Sequence, residues 1–291
     1  MSEREQTTQG LLSALGAFLI WGLLPIYWKL FAGVAPTEVI AQRILWTALL
    51  TVALLTVAGR AREVVAVFAT KKGLLATVAS SFFISMNGLV FVIAVSSGRI
   101  TEVSLGYYVN PLLNALLGVL VLRERPTPRQ AVAIGLATIG VVYATVSQGG
   151  FPWISIALAG CFGLYGLVRK VAPAEALPGL AAEMTLAAPV ALIYLCVAPP
   201  VVFGAFVTEG PAMAALLATT GVASAMPLYL FTRGARKLPY ITIGLLMYIA
   251  PTLQLLVAVI VYGEPFTKTH AVTFGFIWVA IALYVSDLRK R

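Results

Sequence analysis

The chain has 291 residues, of which 60% are hydrophobic and only 11% are charged, and its mean hydropathy is +0.95. A soluble domain carries about 25% charged residues, so this balance excludes a soluble enzyme and indicates a protein with many membrane spans. The net charge is +9, but the basic residues lie singly or in pairs between apolar runs, and no nucleic-acid site is predicted.

Ten apolar runs are long enough to cross a hydrocarbon core of about 30 Å, and we number the predicted spans one to ten in chain order. They cover 11–32, 36–58, 73–96, 102–122, 128–147, 153–169, 178–199, 212–232, 240–262 and 269–287. The segment before span one, MSEREQTTQG, is acidic as well as basic and lacks a small-residue cleavage site. It therefore predicts a retained first span and not a signal peptide.

Lysine and arginine concentrate in alternate loops, as the positive-inside rule requires of cytoplasmic segments. Most of the 20 basic residues lie in the N-terminal tail and in five segments on the same side. These segments contain Arg60, Arg62, Lys71, Lys72, Arg123, Arg125, Arg129, Arg169, Lys170, Arg233, Arg236, Lys237, Arg289, Lys290 and Arg291. Both termini are therefore predicted to be cytoplasmic.

One sequence pattern occurs twice, as YVNPLLNALLGVLVLRERPT at 108–127 and YIAPTLQLLVAVIVYGEPFT at 248–267. Five spans per copy is an odd number, so the second copy must cross the membrane in the opposite sense. The sequence predicts an all-α membrane protein of ten transmembrane helices, built as two inverted five-helix repeats, 1–147 and 148–291, in one integrated membrane domain. The matched positions include Tyr108 with Tyr248, Pro111 with Pro251, Glu124 with Glu264 and, in a weaker match, Lys29 with Lys170.

Span one contains candidate cavity and kink residues, namely Trp21, Gly22 and Pro25. Glycine and proline together permit a bend in the helix or the close approach of a second helix. Lys29 lies roughly 10 Å beyond the span centre, toward the outside. There its ammonium group is expected to reach the lipid headgroups, and the alternative is a contact with a substrate carboxylate.

Span two carries Arg43, which lies roughly 6 Å from the span centre. A charge at this depth is expensive unless it meets a partner or a cavity. One interpretation makes Arg43 the anchor for a substrate carboxylate. In the other, Arg43 pairs with Glu38, with backbone carbonyls or with Glu102, and the sequence leaves both interpretations open.

Span four carries Tyr107, Tyr108, Asn110, Pro111 and Asn114 on broadly one helical face. Because proline lacks a backbone N–H, the carbonyl of Tyr107 loses its helical partner. In hydrocarbon such a carbonyl must find another donor or face a wet cavity. This pattern favours a cavity next to span four.

On span nine the comparable face holds Tyr248, Pro251 and Gln254. The two spans are predicted to flank a midplane cavity and to supply it with aromatic walls and amide groups. The alternative is that both prolines are packing kinks and that the amides form hydrogen bonds between helices.

Further candidates for the same cavity lie on three other spans. They are Asn87 on span three, Tyr165 on span six, and Tyr229 beside Pro227 on span eight. Each residue alone is more often a packing residue than a ligand contact.

No acid lies near the middle of a predicted span, and Glu183 and Glu38 come closest. Because proton relays normally use an acid or a histidine inside the membrane, facilitative or exchange transport is expected, with proton coupling through Glu183 as the second option. The single histidine, His270, and the two cysteines, Cys161 and Cys196, indicate no metal site, disulfide or cofactor. There is no Walker lysine motif, catalytic acid pair or nucleophile elbow, so the chain is not expected to be an enzyme.

The WG in span one, the lysine that follows it, and the proline-centred spans four and nine ending in Glu124 and Glu264 resemble the EamA-type transporters of the drug/metabolite transporter superfamily. The segments QGLLSALGAFLIWGLLPIYWKL and SLGYYVNPLL resemble the RarD-like branch, and the resemblance covers the whole chain. It implies a bacterial inner-membrane exporter of amino acids and related metabolites, with a central cavity between the halves. The cavity residues implied by this resemblance are Trp21, Asn87, Tyr108, Asn110, Tyr165, Tyr229 and Tyr248.

Related aromatic-amino-acid exporters share this architecture, so aromatic and other apolar amino acids are the expected substrates. Alternating access in the lipid bilayer is the expected mechanism, and a monomer is favoured because no GxxxG-type helix faces are evident. The alternatives are a proton-coupled exporter of drugs or other metabolites and, in a different class, a membrane enzyme acting on lipid-linked substrates. The enzyme is disfavoured because Glu183, Glu209 and His270 are too scattered to form one site.

Overall fold

The computed structural model describes residues 3–97, 99–148, 152–199 and 201–288. Across these residues, ten helices are long and apolar enough to cross a membrane, which confirms the ten predicted spans. The helices are Glu3–Trp28 (continued by the 3-10 turn Lys29–Phe31), Pro36–Val57, Lys71–Ser96, Ile100–Leu120, Pro128–Gln148, Trp153–Val171, Ala176–Val197, Gly210–Lys237, Tyr240–Met247 with Ile249–Leu256 and the π-helical turn Val257–Val261, and Lys268–Leu288.

Proline and glycine residues lie at the beginnings and ends of several helices. Pro36 and Pro128 begin spans two and five, where a missing N–H costs nothing because the first turn has no acceptor for it. Gly59 and Gly263 follow spans two and nine with φ of +70° and +69°, a conformation that glycine adopts without strain. Two short helices, Arg62–Ala69 and Ala205–Thr208, precede spans three and eight.

Because ten is an even number of crossings, span one begins and span ten ends at the same face of the molecule. We call this the terminal face and the opposite one the far face. The predicted basic loops, including the one at Arg60 and the one at Arg123, lie at the terminal face. The tail residues Arg289, Lys290 and Arg291, which contributed to the predicted orientation, lie outside the described residues.

The main contacts between spans are kept when each span is exchanged for the one five places later. Span one packs against span eight as span six packs against span three, and span four packs against span six as span nine packs against span one. Spans two and seven, four and nine, and five and ten pack against each other. This pattern is the one that two equivalent five-helix units produce.

Large aromatic side chains fill the core between spans one, six, eight and nine. Phe18, Tyr165, Phe231 and Tyr240 are fully buried, and the rings of Tyr165 and Phe231 stack with centroids 6.5 Å apart. These residues lie in the halves of their spans nearer the terminal face. The interior is therefore closed on that side, and the open space lies toward the far face.

Candidate functional site

A cavity of about 550 Å³ lies between spans one, two, three, four, six, eight and nine. This volume is in the range of small-molecule sites, which run from about 300 to 1,000 Å³. The lining residues of span one come from its last half, and those of spans two, four and six come from the first half or the middle. The cavity therefore lies on the far-face side of the packed aromatic core.

Eight of the predicted site and kink residues line this cavity. They are Trp21, Pro25, Arg43, Asn87, Tyr107, Asn110, Pro251 and Gln254. Spans four and nine both line this cavity: each contributes an aromatic or amide residue, and span nine also contributes Pro251.

Among the described lining residues, Arg43 is the one that carries a charge. It is half-buried, and Tyr107 lines the same cavity. Glu38 instead accepts a hydrogen bond from the Phe206 amide at 3.4 Å, and Glu102 pairs with Arg99 at 2.5 Å. Neither acid pairs with Arg43, so in the described part of the chain the guanidinium faces the cavity without a carboxylate partner.

The amides that line the cavity also connect spans. The Asn87 Nδ2 group donates to the Leu158 carbonyl at 2.9 Å, and the Gln254 Nε2 group donates to the Trp21 carbonyl at 3.2 Å. The Asn110 side chain is 8% exposed, and its Oδ1 atom has no hydrogen-bond donor among the residues described. Asn110 therefore brings to the cavity wall a buried amide oxygen that no described residue satisfies.

Five other predicted site residues lie outside the cavity lining and are buried or half-buried. Tyr248 donates its hydroxyl hydrogen to the Tyr108 carbonyl at 3.2 Å, and the Oδ1 atom of Asn114 accepts from the Tyr240 hydroxyl at 3.2 Å. These bonds join span nine to span four. The residues outside the lining are Tyr108, Asn114, Tyr165, Tyr229 and Tyr248.

The predicted kink residues differ in their surroundings. Pro111 and Pro227 are buried inside continuous helices, whereas span nine is interrupted at Tyr248, three residues before Pro251. At Gly22 an added Cβ would lie 2.6 Å from the Cβ of Leu253, so spans one and nine approach too closely there for any larger residue.

A buried ion pair lies apart from the cavity. The Arg169 Nε and Glu183 Oε1 atoms are 3.2 Å apart, and the two side chains are 3% and 0% exposed. Arg169 also donates to the Ala176 carbonyl at 2.8 Å, and the Tyr165 hydroxyl donates to Glu183 at 3.4 Å. The sequence indicated the acid but not its partner, because Arg169 lies at the predicted end of span six, among the basic residues that indicate the orientation.

Some lining residues were not predicted. Phe162 contacts Trp21 edge to face, with ring centroids 5.4 Å apart, and both line the cavity. The internal repeat matches these two positions, so extending the repeat would have found Phe162. Phe91 also lines the cavity, and the repeat matches it to Phe231, whereas Trp28 and Ser224 gave no such signal. In the described part of the chain, no cluster of three histidine, cysteine or acidic residues is placed to hold a metal ion.

Comparisons with known proteins agree with this architecture. Residues 8–146 match the EamA-like transporter family. The chain is 40% identical to an uncharacterized transporter of Pseudomonas aeruginosa over 96% of this chain and 94% of that protein. It is 39% identical to the protein RarD of Salmonella typhi (98% and 97% covered) and 36% identical to RarD of Escherichia coli (98% and 96% covered).

The fold is also similar to that of a solved crystal structure, with a TM-score of 0.73 at 18% identity and 99% of both chains covered. At this identity the match supports the fold alone. The Pseudomonas aeruginosa relative is named as a transporter, and the similarity to all three relatives extends over nearly the whole of both chains. The chain therefore belongs to the EamA-like transporter family, as a RarD-like membrane transporter.

Proposed function

We propose that this transporter exports amino acids with aromatic or other apolar side chains across the bacterial inner membrane. The observation that carries the proposal is the cavity itself, whose described lining combines a cation without a described carboxylate partner, Arg43, with aromatic walls and amide groups. In this proposal residues 1–147 and 148–291 are inverted repeats that rock about the cavity, and both termini are cytoplasmic.

Each part of an amino acid has a matching part of the cavity. The carboxylate would bind Arg43, because a guanidinium forms paired, charge-assisted hydrogen bonds with carboxylates. The ammonium group would donate to uncharged oxygen acceptors such as Asn110 Oδ1, and the apolar side chain would lie against Trp21 and Phe162. Arg43, the one charged residue among the described lining residues, also disfavours cationic drugs as substrates.

Facilitative or exchange transport fits the charges better than proton coupling does. Among the described lining residues there is no acid or histidine, and Glu183 is held by Arg169 in the packed interior. A proton carrier at Glu183 would have to break this pair during each cycle. Removing one partner from a buried pair costs about 3–5 kcal/mol.

Counterflow tests the proposal. Purified protein would be reconstituted into liposomes preloaded with unlabelled phenylalanine, with labelled phenylalanine outside and no ion gradient. We expect transient accumulation of label above the level in protein-free liposomes. If folded protein gives no accumulation for phenylalanine or for methionine, the amino-acid assignment is wrong; if accumulation appears only with a proton gradient, the uncoupled mechanism is wrong.

A further inference from the structure

Glu124 binds the start of span nine from beyond the end of span four. One carboxylate oxygen accepts from the Tyr240 amide at 2.6 Å and the other from the Ile241 amide at 2.9 Å. The first amides of a helix have no intrahelical acceptor and carry the positive end of the helix dipole, so a carboxylate is the favoured partner there. This contact joins the two halves of the chain at the terminal face.

Lys170 lies at the end of span six, at the same face of the molecule as Glu124. Its ammonium group donates to the carbonyls of Ala235 and Leu238, at the end of span eight, and is attracted electrostatically to Glu124. A cation at carbonyls that end a helix is the counterpart of a carboxylate at its start. We call Glu124 and Lys170, with the helix ends that they bind, the terminal gate.

The internal repeat places the same two side chains at the far face. Glu264 is the counterpart of Glu124, and Lys29 is the counterpart of Lys170. The helix ends that correspond to those in the terminal gate are the start of span four at Ile100 and the end of span three near Ser97. The far face therefore contains every component of a second gate.

These far-face components are not assembled in the structure. Glu264 is exposed, and no described residue forms a hydrogen bond or ion pair with its carboxylate. Lys29 is also exposed, and its ammonium group lies over the ring of Tyr262, 3.7 Å from the centroid. The assembled gate is at the face where the interior is closed, and the unassembled one is at the face nearer the cavity.

We propose that Glu264 and Lys29 close the far face in the opposite state of the transporter, as Glu124 and Lys170 close the terminal face in this one. The inference rests on the alternating access of the proposed function. Two gates of the same chemistry make the two states similar in free energy. A small ligand can then shift the population, since it can do so only by its own difference in affinity for the two states.

Hydrogen–deuterium exchange of the full-length protein in lipid nanodiscs tests this proposal without any substrate. Glu124→Gln removes the charge and one of the two acceptors. We expect the amides of 240–243 to exchange at least about tenfold faster, which corresponds to about 1.4 kcal/mol. The amides of 100–103 should exchange more slowly, because Glu264 then binds the start of span four. Adding Glu264→Gln to this variant should abolish the new protection at 100–103 and leave 240–243 fast.

Two matched substitutions control for the loss of a carboxylate. Glu63→Gln changes an acid of the terminal-face loop that pairs with Arg60, and Glu209→Gln changes an exposed acid of the far face. Neither should alter exchange at either helix start. If Glu124→Gln does not fold, Glu124→Asp keeps the charge, shortens the reach and should give the same two changes at smaller size.

Each of the remaining outcomes would contradict one step of the proposal. Unchanged exchange at 240–243 would mean that Glu124 does not hold the start of span nine. Faster exchange there without protection at 100–103, or protection that persists in the double variant, would exclude the gate at Glu264. Because the readout needs no substrate, failure of amino-acid counterflow would reject the substrate and leave the gate result intact.

Discussion

Arg43 is the residue on which the substrate proposal depends most directly. Replacing it with glutamine keeps a polar side chain of moderate length but removes the charge that would bind a carboxylate. Hydrogen bonds to charged groups contribute about 1.5–3 kcal/mol, so the KM for phenylalanine in counterflow should rise roughly ten- to more than a hundredfold. Phenylalaninamide, which lacks the carboxylate, should compete equally well for wild type and Arg43→Gln.

Arg62→Gln provides the matched control, because Arg62 is an exposed arginine in a terminal-face loop and does not line the cavity. It should leave the KM for phenylalanine unchanged. If Arg43→Gln weakens competition by phenylalanine and by phenylalaninamide to the same extent, Arg43 shapes the cavity and does not bind the carboxylate.

The sequence could identify which residues are unusual inside a span but not which way each side chain points. Tyr107 and Tyr108 are adjacent, and consecutive residues of a helix differ by about 100° in direction. Tyr107 lines the cavity, whereas Tyr108 packs edge to face on Phe274 at 5.3 Å. A lipid-facing side of a span is as apolar as a packed side, so periodicity gives no reference direction.

At the scale of helices, the contact between spans four and nine depends on Gly244. A Cβ at this position would lie 2.5 Å from the Pro111 carbonyl oxygen and 3.0 Å from the Ala115 amide nitrogen. Backbone atoms cannot rotate away, so Gly244→Ala must separate the two helices. Overpacking of this kind typically costs about 1–3 kcal/mol, and we expect a lower thermal unfolding midpoint in detergent.

Gly275→Ala is the control for this substitution, since nothing lies within 4 Å of a Cβ added at Gly275 in span ten. Its unfolding midpoint should match the wild type or exceed it, because alanine is a better helix former than glycine. Equal destabilisation by both substitutions would show that helix propensity, and not the contact with span four, sets the effect.

The two matched prolines show which feature of a helix could not be predicted from the sequence. Pro111 and Pro251 occupy matched positions and remove the same kind of hydrogen bond, yet span four continues through Pro111 while span nine breaks at Tyr248 and ends in a π-helical turn. Local sequence determines which carbonyl is freed. The neighbouring helix supplies donors that the local sequence does not specify, since the Tyr248 hydroxyl of span nine bonds to the Tyr108 carbonyl, next to the freed carbonyl of Tyr107.

For the whole molecule, the number of spans could be predicted because a long apolar segment in lipid must satisfy its backbone internally and so forms a helix. The position of the cavity could not. The position of the cavity depends on whether packed side chains fill the interior on the terminal-face side or on the far-face side, and the residues on both sides are equally apolar. Because the cavity lies toward the far face, the orientation of the chain in the membrane determines which step of transport the structure represents.

Orientation can be measured with two matched cysteine substitutions in a Cys161→Ala/Cys196→Ala background. Thr70 lies at the terminal face and Thr267 at the far face; both are exposed, and each hydroxyl accepts a hydrogen bond from the amide three residues later. Because basic loops stay in the cytoplasm, a membrane-impermeant maleimide on intact cells should label Thr267→Cys and should label Thr70→Cys only after permeabilisation.

Labelling of both cysteines from outside would contradict the ten-span arrangement. Labelling of Thr70→Cys alone would mean that the molecule has the opposite orientation in the membrane. The cavity of this structure would then open to the cytoplasm and load substrate from there. With the expected result, the cavity is open toward the outside, and the structure is the state after release. An exporter must then open the terminal gate to rebind substrate, which is the step that Glu124→Gln should favour.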